Sequence, residues 1–191
     1  YAEVFLNTKY MGVYHLTERI DHKRLNIESA DHPDHGYLYK SENWNENTEF
    51  RGLPDLANNK VWGGWELKYP KSSRKENWLP LYNCLSFAIH SSDSLFTEDI
   101  YEHFNQDNLI DYYLLMNLTK ASDNYGKNLF MVQYKRGTPF YILPWDMDAS
   151  WGRNWYGYPY DQGAIMTNNL YQRLIALNPD NFATNLKTRW N

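Results

Sequence analysis

Acidic and amide side chains at both ends of a predicted hairpin constrain the fold of this chain more than any other feature. Asp123 and Asn128 stand five positions apart just before the hairpin, and Asp146 and Asp148 follow directly after it. A carboxylate beside an apolar strand is costly to bury unless a cation or hydrogen-bond donors accompany it. Because Mg²⁺ and Mn²⁺ prefer oxygen ligands of this kind, we expect the fold to bring these side chains together around a cation.

The hairpin itself is predicted from two strand-like runs, Leu129–Tyr134 and Phe140–Pro144. The connection between them contains Gly137, which supplies the turn. Four shorter runs upstream also read as strands: Glu3–Asn7, Gly12–Thr17, Tyr37–Lys40 and Trp65–Tyr69. The first two form a hairpin with its turn near Lys9, and residues Ser41–Gly64 lack a period and are predicted to be a long ordered loop.

The second half of the chain has helical patterns. They cover Trp78–His90, Thr97–Phe104 with Thr97 as N-cap, Asp107–Leu118 with Asp107 or Asn108 as cap, Asn169–Leu177 and Asp180–Trp190. The pattern of Asp107–Leu118 is apolar on most sides, which predicts a buried helix. Strands first and helices later indicate an α+β class, and 191 residues fit one domain.

Composition excludes several classes of protein. A net charge of −4 argues against a nucleic-acid binder, although a metal ion could still neutralise the phosphates of a nucleotide. The mean hydropathy of −0.75, with no apolar run near 18 residues, predicts no transmembrane helix. The single cysteine, Cys84, cannot form an internal disulfide, and its apolar surroundings predict a buried thiol.

Aromatic residues make up 17% of the chain, an unusually high fraction that fits two roles. Tyr and Trp fill mixed polar cores, and they also form surfaces that stack on carbohydrate. We prefer the core role. The candidates for a stacking surface are Trp44, Trp62, Trp65, Trp151 and Trp155.

The order of the acidic and amide residues favours phosphoryl transfer. Phosphotransferases of the protein-kinase type have a catalytic Asp, an Asn five positions later, a short hairpin and then a metal-binding Asp. In this chain Asp123 would accept or orient the proton of the acceptor hydroxyl, while Asn128 and Asp146 would hold the metal that bridges the nucleotide phosphates.

The same residues also fit roles without phosphoryl transfer. Each Asp or Asn alone is common in caps and turns. Asp146-x-Asp148 also resembles the metal motif of nucleotide-sugar glycosyltransferases, but those enzymes have parallel sheets, and the strand pattern here is a meander. The pair His32 and His35 has zinc-ligand spacing, but it lies in a polar loop without a second ligand pair, so a solvated loop is preferred.

Four segments, "YMGVYHLTERID", "GYLYK", "ASDNYGKN" and "PWDMDASWG", resemble the CotH kinase family, the spore-coat-protein-H-like atypical protein kinases. They occur in the family's order and span most of the chain, so the resemblance implies a single domain over residues 1–191. It implies a fold of the protein-kinase type, with N-terminal antiparallel strands, a mostly helical C-terminal lobe and a catalytic hairpin. It also implies ATP with Mg²⁺ or Mn²⁺, and Ser/Thr hydroxyls of proteins such as spore coat proteins as acceptors, in an exported or cell-surface setting.

Residue roles carry over from the matching motifs. Asp123 matches the catalytic Asp, Asn128 and Asp146 match metal ligands, and Asp148 is a further metal candidate. Two further positions match characteristic residues of the family and are assigned to nucleotide or phosphate contact: Glu18 and Lys40. Their alternatives are a surface ion pair for Glu18 and a solvated strand end for Lys40.

The chain also departs from the family. An Arg/Gly/Asn-rich and Lys-rich segment normally precedes the "YMGVY"-like strand, so the resemblance implies a trimmed domain that lacks the upstream basic residues. A Gly-rich phosphate loop of the kinase type is not visible, and the pair Gly63-Gly64 is insufficient for one. The expectation is that this chain binds nucleotide weakly or not at all.

Overall fold

A five-stranded antiparallel sheet organises the computed structural model, which describes residues 1–14, 16, 19–71, 75–159, 161 and 163–191. The strands are β1 (Ala2–Leu6), β2 (Lys9–Tyr14), β3 (Tyr37–Ser41), β4 (Val61–Trp62), β5 (Trp65–Tyr69), β6 (Leu129–Gln133) and β7 (Tyr141–Pro144). The α-helices are α1 (Leu79–His90), α2 (Asp93–His103), α3 (Gln106–Thr119), α4 (Asn169–Leu177) and α5 (Phe182–Trp190). The predicted α+β class is therefore confirmed.

The sheet has the strand order β4-β5-β3-β6-β7, and neighbouring strands are antiparallel. Strands β6 and β7 form the predicted hairpin, with Leu129 opposite Pro144 and Val132 opposite Tyr141. This register brings Asn128, which precedes β6, next to Trp145, which follows β7: the Trp145 amide donates to the Asn128 carbonyl at 2.9 Å. The two ends of the hairpin therefore deliver their flanking residues to one place.

Both faces of the central strands are covered, so their side chains do not alternate between buried and exposed. On one face Tyr39 and Met131 belong to the main core, which packs against the helices. On the opposite face Leu38, Phe130 and Val132 form a second, smaller core. The segment of residues 19–27 covers this second face through three side chains: Ile20, Leu25 and Ile27.

The N-terminal hairpin forms as predicted, but its turn lies at Asn7–Thr8 and not near Lys9. Both turn residues have positive φ, 48° and 67°, a geometry that matches the twist of a two-residue hairpin. Lys9 is consequently the first residue of β2 and pairs with Leu6. Strands β1 and β2 form a sheet of their own, and the predicted strand end at Thr17 lies outside the described residues.

Two predicted helix caps are wrong, because residues earlier in the chain cap these helices. Helix α2 begins at Asp93, where the Ser92 hydroxyl accepts from the Leu95 amide, while Thr97 donates to the Asp93 carbonyl inside the helix. Helix α3 is capped by Asn105, whose side chain accepts from the Asn108 amide at 2.9 Å. Ser and Asn are among the strongest N-cap residues, so the helices extend back to them.

Helix α3 is buried or partly buried except along one face, where Asp107, Asp111, Leu115 and Leu118 are exposed. Leu109 and Met116 are fully buried, as expected, but Leu118 is 54% exposed. The last helix also differs from its prediction: α5 starts at Phe182, because left-handed backbone at Asp180 and Asn181 interrupts the pattern. Helix α4 matches its predicted bounds.

The Cys84 thiol is buried, as predicted, and burial raises its pKa well above the usual value. Among the described residues, no helix combines the length and the apolar character needed to cross a membrane.

We expect Leu85→Ala to lower the free energy of unfolding by roughly 2–5 kcal/mol, because Leu85 of α1 is fully buried in the main core and its truncation leaves a cavity. Urea unfolding followed by tryptophan fluorescence measures the change. Leu118→Ala is the matched control, since its exposed side chain predicts a change within about 0.5 kcal/mol. Equal losses in both variants would contradict this assignment of the core.

Candidate functional site

The loop of residues 120–128 connects α3 to β6 and carries Asp123 and Asn128. Helix α3 ends at Lys120 in a left-handed conformation, and residues Ser122–Tyr125 form one turn of 3₁₀ helix. The Asp123 carboxylate is only 16% exposed, and the ammonium of Lys127 lies 3.6 Å from its Oδ2. The Lys127 amide also donates to the Asp123 carbonyl at 3.0 Å, so Lys127 contacts both the backbone and the side chain of Asp123.

Asn128 and Asp146 are in contact through the Asp146 backbone. The Asn128 side-chain amide donates to the Asp146 backbone carbonyl at 3.4 Å, and its backbone amide donates to the Ser41 carbonyl at 3.2 Å. Asn128 is buried, whereas Asp146 is exposed. At the base of the hairpin, the buried Asn128 side chain therefore contacts the backbone of the exposed Asp146.

Both of these residues have left-handed backbone, with φ of 53° for Asn128 and 52° for Asp146. Asn and Asp tolerate this region better than other residues with a β-carbon. Non-glycine residues in sparsely populated backbone regions cost roughly 1–3 kcal/mol each and cluster at functional sites. Two such residues in hydrogen-bond contact support the interpretation of this region as a functional site.

Asn124 holds the two ends of the hairpin together, a role that no sequence pattern indicates. Its side-chain amide donates to the Asn128 carbonyl at 2.7 Å and to the Trp145 carbonyl at 2.8 Å. Its own backbone carbonyl accepts from the buried Tyr112 hydroxyl of α3 at 2.5 Å. The only signal for it in the sequence is its place within the motif "ASDNYGKN".

Asp146 and Asp148 line the same groove, a cavity of about 950 Å³. Its walls include Leu115, Trp145 and Trp151. Asp148 is exposed, and its Oδ1 accepts from the adjacent Ala149 amide at 2.9 Å. Asp123 is not among the described residues that line the groove, but its neighbour Ser122 donates to the Ala149 carbonyl at 3.2 Å.

The side chains of the three metal candidates fit a magnesium-type ion better than a softer metal. Of the three, Asp146 and Asp148 line the groove, and Asn128 is not among the described residues that line it. The side chains of Asn128, Asp146 and Asp148 offer only oxygen and amide groups, and no ion pair to Asp146 occurs within the described ranges. Mg²⁺ is usually bound by one or two carboxylates plus phosphate oxygens and water. The described residues contain no group of three His, Cys, Asp or Glu side chains able to hold a metal ion. His32 and His35 belong to no such group either.

Lys40 lies on β3 with a side chain that is 19% exposed, and its ammonium is 2.9 Å from Glu42 Oε1. It is therefore paired with a carboxylate, and not a solvated strand end. Beside it on β5, Glu66 contacts Lys60 at 2.7 Å and Lys68 at 3.1 Å. Burial raises the pKa of Glu66, but side-chain hydrogen bonds with Lys60 first, then with Glu42 and Lys68, outweigh burial and lower this pKa to about 2. Glu18, the other nucleotide-contact candidate, lies outside the described residues.

The candidate stacking residues divide between core and surface. Trp62 and Trp65 are buried in the main core and cannot stack on a ligand. Trp44, Trp151 and Trp155 are exposed. Trp155 belongs to an aromatic loop (residues 151–159) in which its ring lies 3.6 Å from that of Tyr156.

A family model described as CotH kinase protein matches residues 1–191, the whole chain. A search of the curated proteins found no match.

We expect Asn124→Ala to lower the free energy of unfolding by about 1–3 kcal/mol, because it removes both hydrogen bonds that join the hairpin ends and leaves the Trp145 carbonyl without that donor. Urea unfolding measures the loss. Asn185→Ala is the control, since its amide bonds a single exposed carbonyl, that of Asp180, and the predicted change is below about 0.5 kcal/mol. An unchanged unfolding midpoint for Asn124→Ala would show that the bridge contributes little.

Proposed function

This chain belongs to the CotH kinase protein family, and we propose that it is a metal- and ATP-dependent phosphotransferase that phosphorylates Ser/Thr hydroxyls of proteins such as spore coat or surface proteins. The observation that carries the proposal is the contact between Asn128 and Asp146 at the base of the β6–β7 hairpin. In this proposal β6–β7 is the catalytic hairpin of a protein-kinase-like fold.

Asp146, Asn128 and Asp148 are the proposed metal ligands. When bound, Mg²⁺ or Mn²⁺ would neutralise charge on the phosphates of ATP, which is the chemistry that the side chains alone cannot supply. The left-handed backbone at Asp146 directs the chain from β7 into the groove that Asp146 and Asp148 line. The Asn124 side-chain amide supports this arrangement by donating hydrogen bonds to the carbonyls of Asn128 and Trp145.

Asp123 is the proposed catalytic base. Its carboxylate would accept or orient the proton of the acceptor hydroxyl as the hydroxyl oxygen bonds to the γ-phosphorus and the bond to the ADP oxygen breaks. The ammonium of Lys127 lies 3.6 Å from Asp123 Oδ2, so a cation stands beside the proposed base. The limited exposure of Asp123 also reduces competition from water.

The nucleotide contacts proposed for Lys40 and Glu18 rest on the family resemblance. For Lys40 the structure adds that its ammonium contacts Glu42. A lysine held by a carboxylate has a restricted head group, which suits a side chain that must meet a phosphate in one place.

We expect Asp123→Asn and Asp146→Asn each to lower the rate of phosphate transfer from ATP by about 100-fold or more, because the first removes the proton acceptor and the second a charged metal ligand. Transfer of labelled γ-phosphate to a Ser/Thr-containing protein measures the rate. Asp31→Asn is the matched control, because Asp31 is an exposed residue of the loop before β3, and its rate should be unchanged. Circular dichroism shows whether each variant is folded.

Thermal denaturation gives an independent measurement of the same proposal. Stabilisation by ATP that requires Mg²⁺ or Mn²⁺, and that Asp146→Asn removes, is expected from binding to the folded state. Full transfer activity in Asp146→Asn, or the same stabilisation with and without metal, would overturn the proposed metal site.

A second candidate function is glycan contact on the aromatic loop (residues 151–159), suggested by its exposed rings. Trp155, Tyr156 and Tyr158 are all more than half exposed. The loop is ordered by local bonds: the Asn154 side chain accepts from the amides of Tyr156 and Tyr158 at 3.0 and 3.1 Å. Rings presented on fixed backbone suit stacking against a sugar face.

We expect Trp155→Ala to weaken glycan binding by about tenfold if this loop is the stacking surface, because an aromatic face contributes on the order of 1 kcal/mol or more. A glycan array followed by calorimetry on the best ligand measures the effect. Trp44→Ala, another exposed Trp in a different loop, is the control. Binding that survives Trp155→Ala and is lost in Asp146→Asn would reject the loop.

A further inference from the structure

A second cavity, of about 270 Å³, opens on the face of the sheet that the segment of residues 19–27 covers. We call it the basic cavity because five of its lining residues carry basic side chains and one carries a carboxylate. The lining residues are Arg19, Ile20, Asp21, His22, Lys23, Leu38, Lys68 and Lys71. This concentration of positive charge occurs in a chain whose net charge is −4.

The walls of the basic cavity are held by packing of the segment of residues 19–27 against the sheet. Ile20 and Leu25 pack onto the second core, which holds the segment of residues 19–27 against the sheet. His22 stacks on Tyr69 of β5 with ring centroids 4.2 Å apart and planes 8° from parallel. Arg19 and Lys23 of the segment therefore face the same cavity as Lys68 and Lys71 from the β5 side.

The carboxylates near the basic cavity are already engaged. Asp21 Oδ1 accepts from the backbone amides of Lys23 and Arg24, at 3.0 Å each, and the first of the causes that lower its pKa is the bond from Arg24. Glu66 lies 3.1 Å from Lys68 but is shared with Lys60 at 2.7 Å.

Three cations at this cavity have no carboxylate within salt-bridge distance in the part of the chain that the structure describes. Among those residues, salt bridges do not reach Arg19, Lys23 or Lys71. Asp21, the one carboxylate that lines the cavity, interacts electrostatically with Arg19 and His22, so basic groups remain in excess there. Positive groups brought together in such an excess repel one another, and this repulsion is relieved when an anion binds between them.

We propose that the basic cavity is a binding site for a phosphate-type dianion, with Arg19, Lys23 and Lys71 as its principal cations. Arg and Lys are the side chains that bind phosphate through charge-assisted hydrogen bonds. A volume of about 270 Å³ is large enough for a phosphate or pyrophosphate group with its water. The site stands on these residues alone and does not require that the chain transfers phosphate.

The position of the basic cavity gives two possible sources of the anion. Ile20 lines both this cavity and the groove that contains Asp146 and Asp148, so the two spaces adjoin. A polyphosphate could therefore extend from the groove into the basic cavity. The same cations could instead receive the phosphate of a modified side chain that approaches the groove.

The test is isothermal titration of the folded chain with pyrophosphate, without metal and at low salt. We expect Arg19→Gln/Lys71→Gln to bind pyrophosphate about tenfold or more weakly than the unaltered chain, because two of the principal charges are lost. Lys187→Gln, an exposed lysine of α5, is the matched control and should bind normally. Equal affinity in the double variant and the unaltered chain, or no measurable binding by the unaltered chain, would overturn the proposal.

Two further titrations separate the sources and keep this proposal distinct from the proposed activity. Asp146→Asn should bind pyrophosphate as well as the unaltered chain, because Asp146 does not line the basic cavity; loss of binding in that variant would place the anion in the groove and reject the basic cavity. Competition between ATP and pyrophosphate supports the cavity as a nucleotide phosphate site. Simultaneous binding of both, with a phosphoserine peptide displacing pyrophosphate, supports it as a site for a modified side chain.

Discussion

The side-chain amide of Asn124 is the contact on which the candidate site depends. One NH₂ group bonds the carbonyls on either side of the β6–β7 hairpin, at Asn128 and at Trp145. This bridge fixes where each strand of the hairpin begins and ends, and so fixes the left-handed turns that carry Asn128 and Asp146. The Tyr112 hydroxyl of helix α3 donates to the Asn124 carbonyl, so α3 helps to position Asn124 relative to the main core. The contacts that support the hairpin ends therefore reach into the main core through Tyr112.

Local patterns predicted most of the fold because they are read over several residues at once. The β6–β7 hairpin, β5 and α4 follow from alternation, turn glycine and helical period, and the structure has them where the sequence places them. The starts of α2 and α3 were misplaced because a cap depends on one side-chain hydrogen bond, and several polar residues compete for it. The N-terminal turn was misplaced for a similar reason: left-handed backbone at Asn7 and Thr8 leaves little signal in composition.

The candidate site was predictable in its residue types and order, but not in its supports. The spacing of Asp123, Asn128 and Asp146 pointed to one end of a hairpin, where the structure has Asn128 and Asp146 in contact. Asn124 was missed because a buried amide bridge has no sequence period. The basic cavity was missed because its cations come from distant parts of the chain, Arg19 and Lys71 among them, and meet only when the segment of residues 19–27 lies on the sheet. As proposed, these cations would supply basic groups for phosphate from within the chain.

The positive φ angles at Asn128 and Asp146 restrict how this region can vary during evolution. A β-branched or bulky replacement is disfavoured by backbone geometry, whereas glycine satisfies the backbone but offers no side-chain oxygen atom. Only Asn and Asp meet both demands well, so each position can exchange with essentially one other residue type. A homologue with glycine at both positions would keep this backbone but lose both proposed metal ligands, so glycine there is expected to accompany loss of the proposed chemistry.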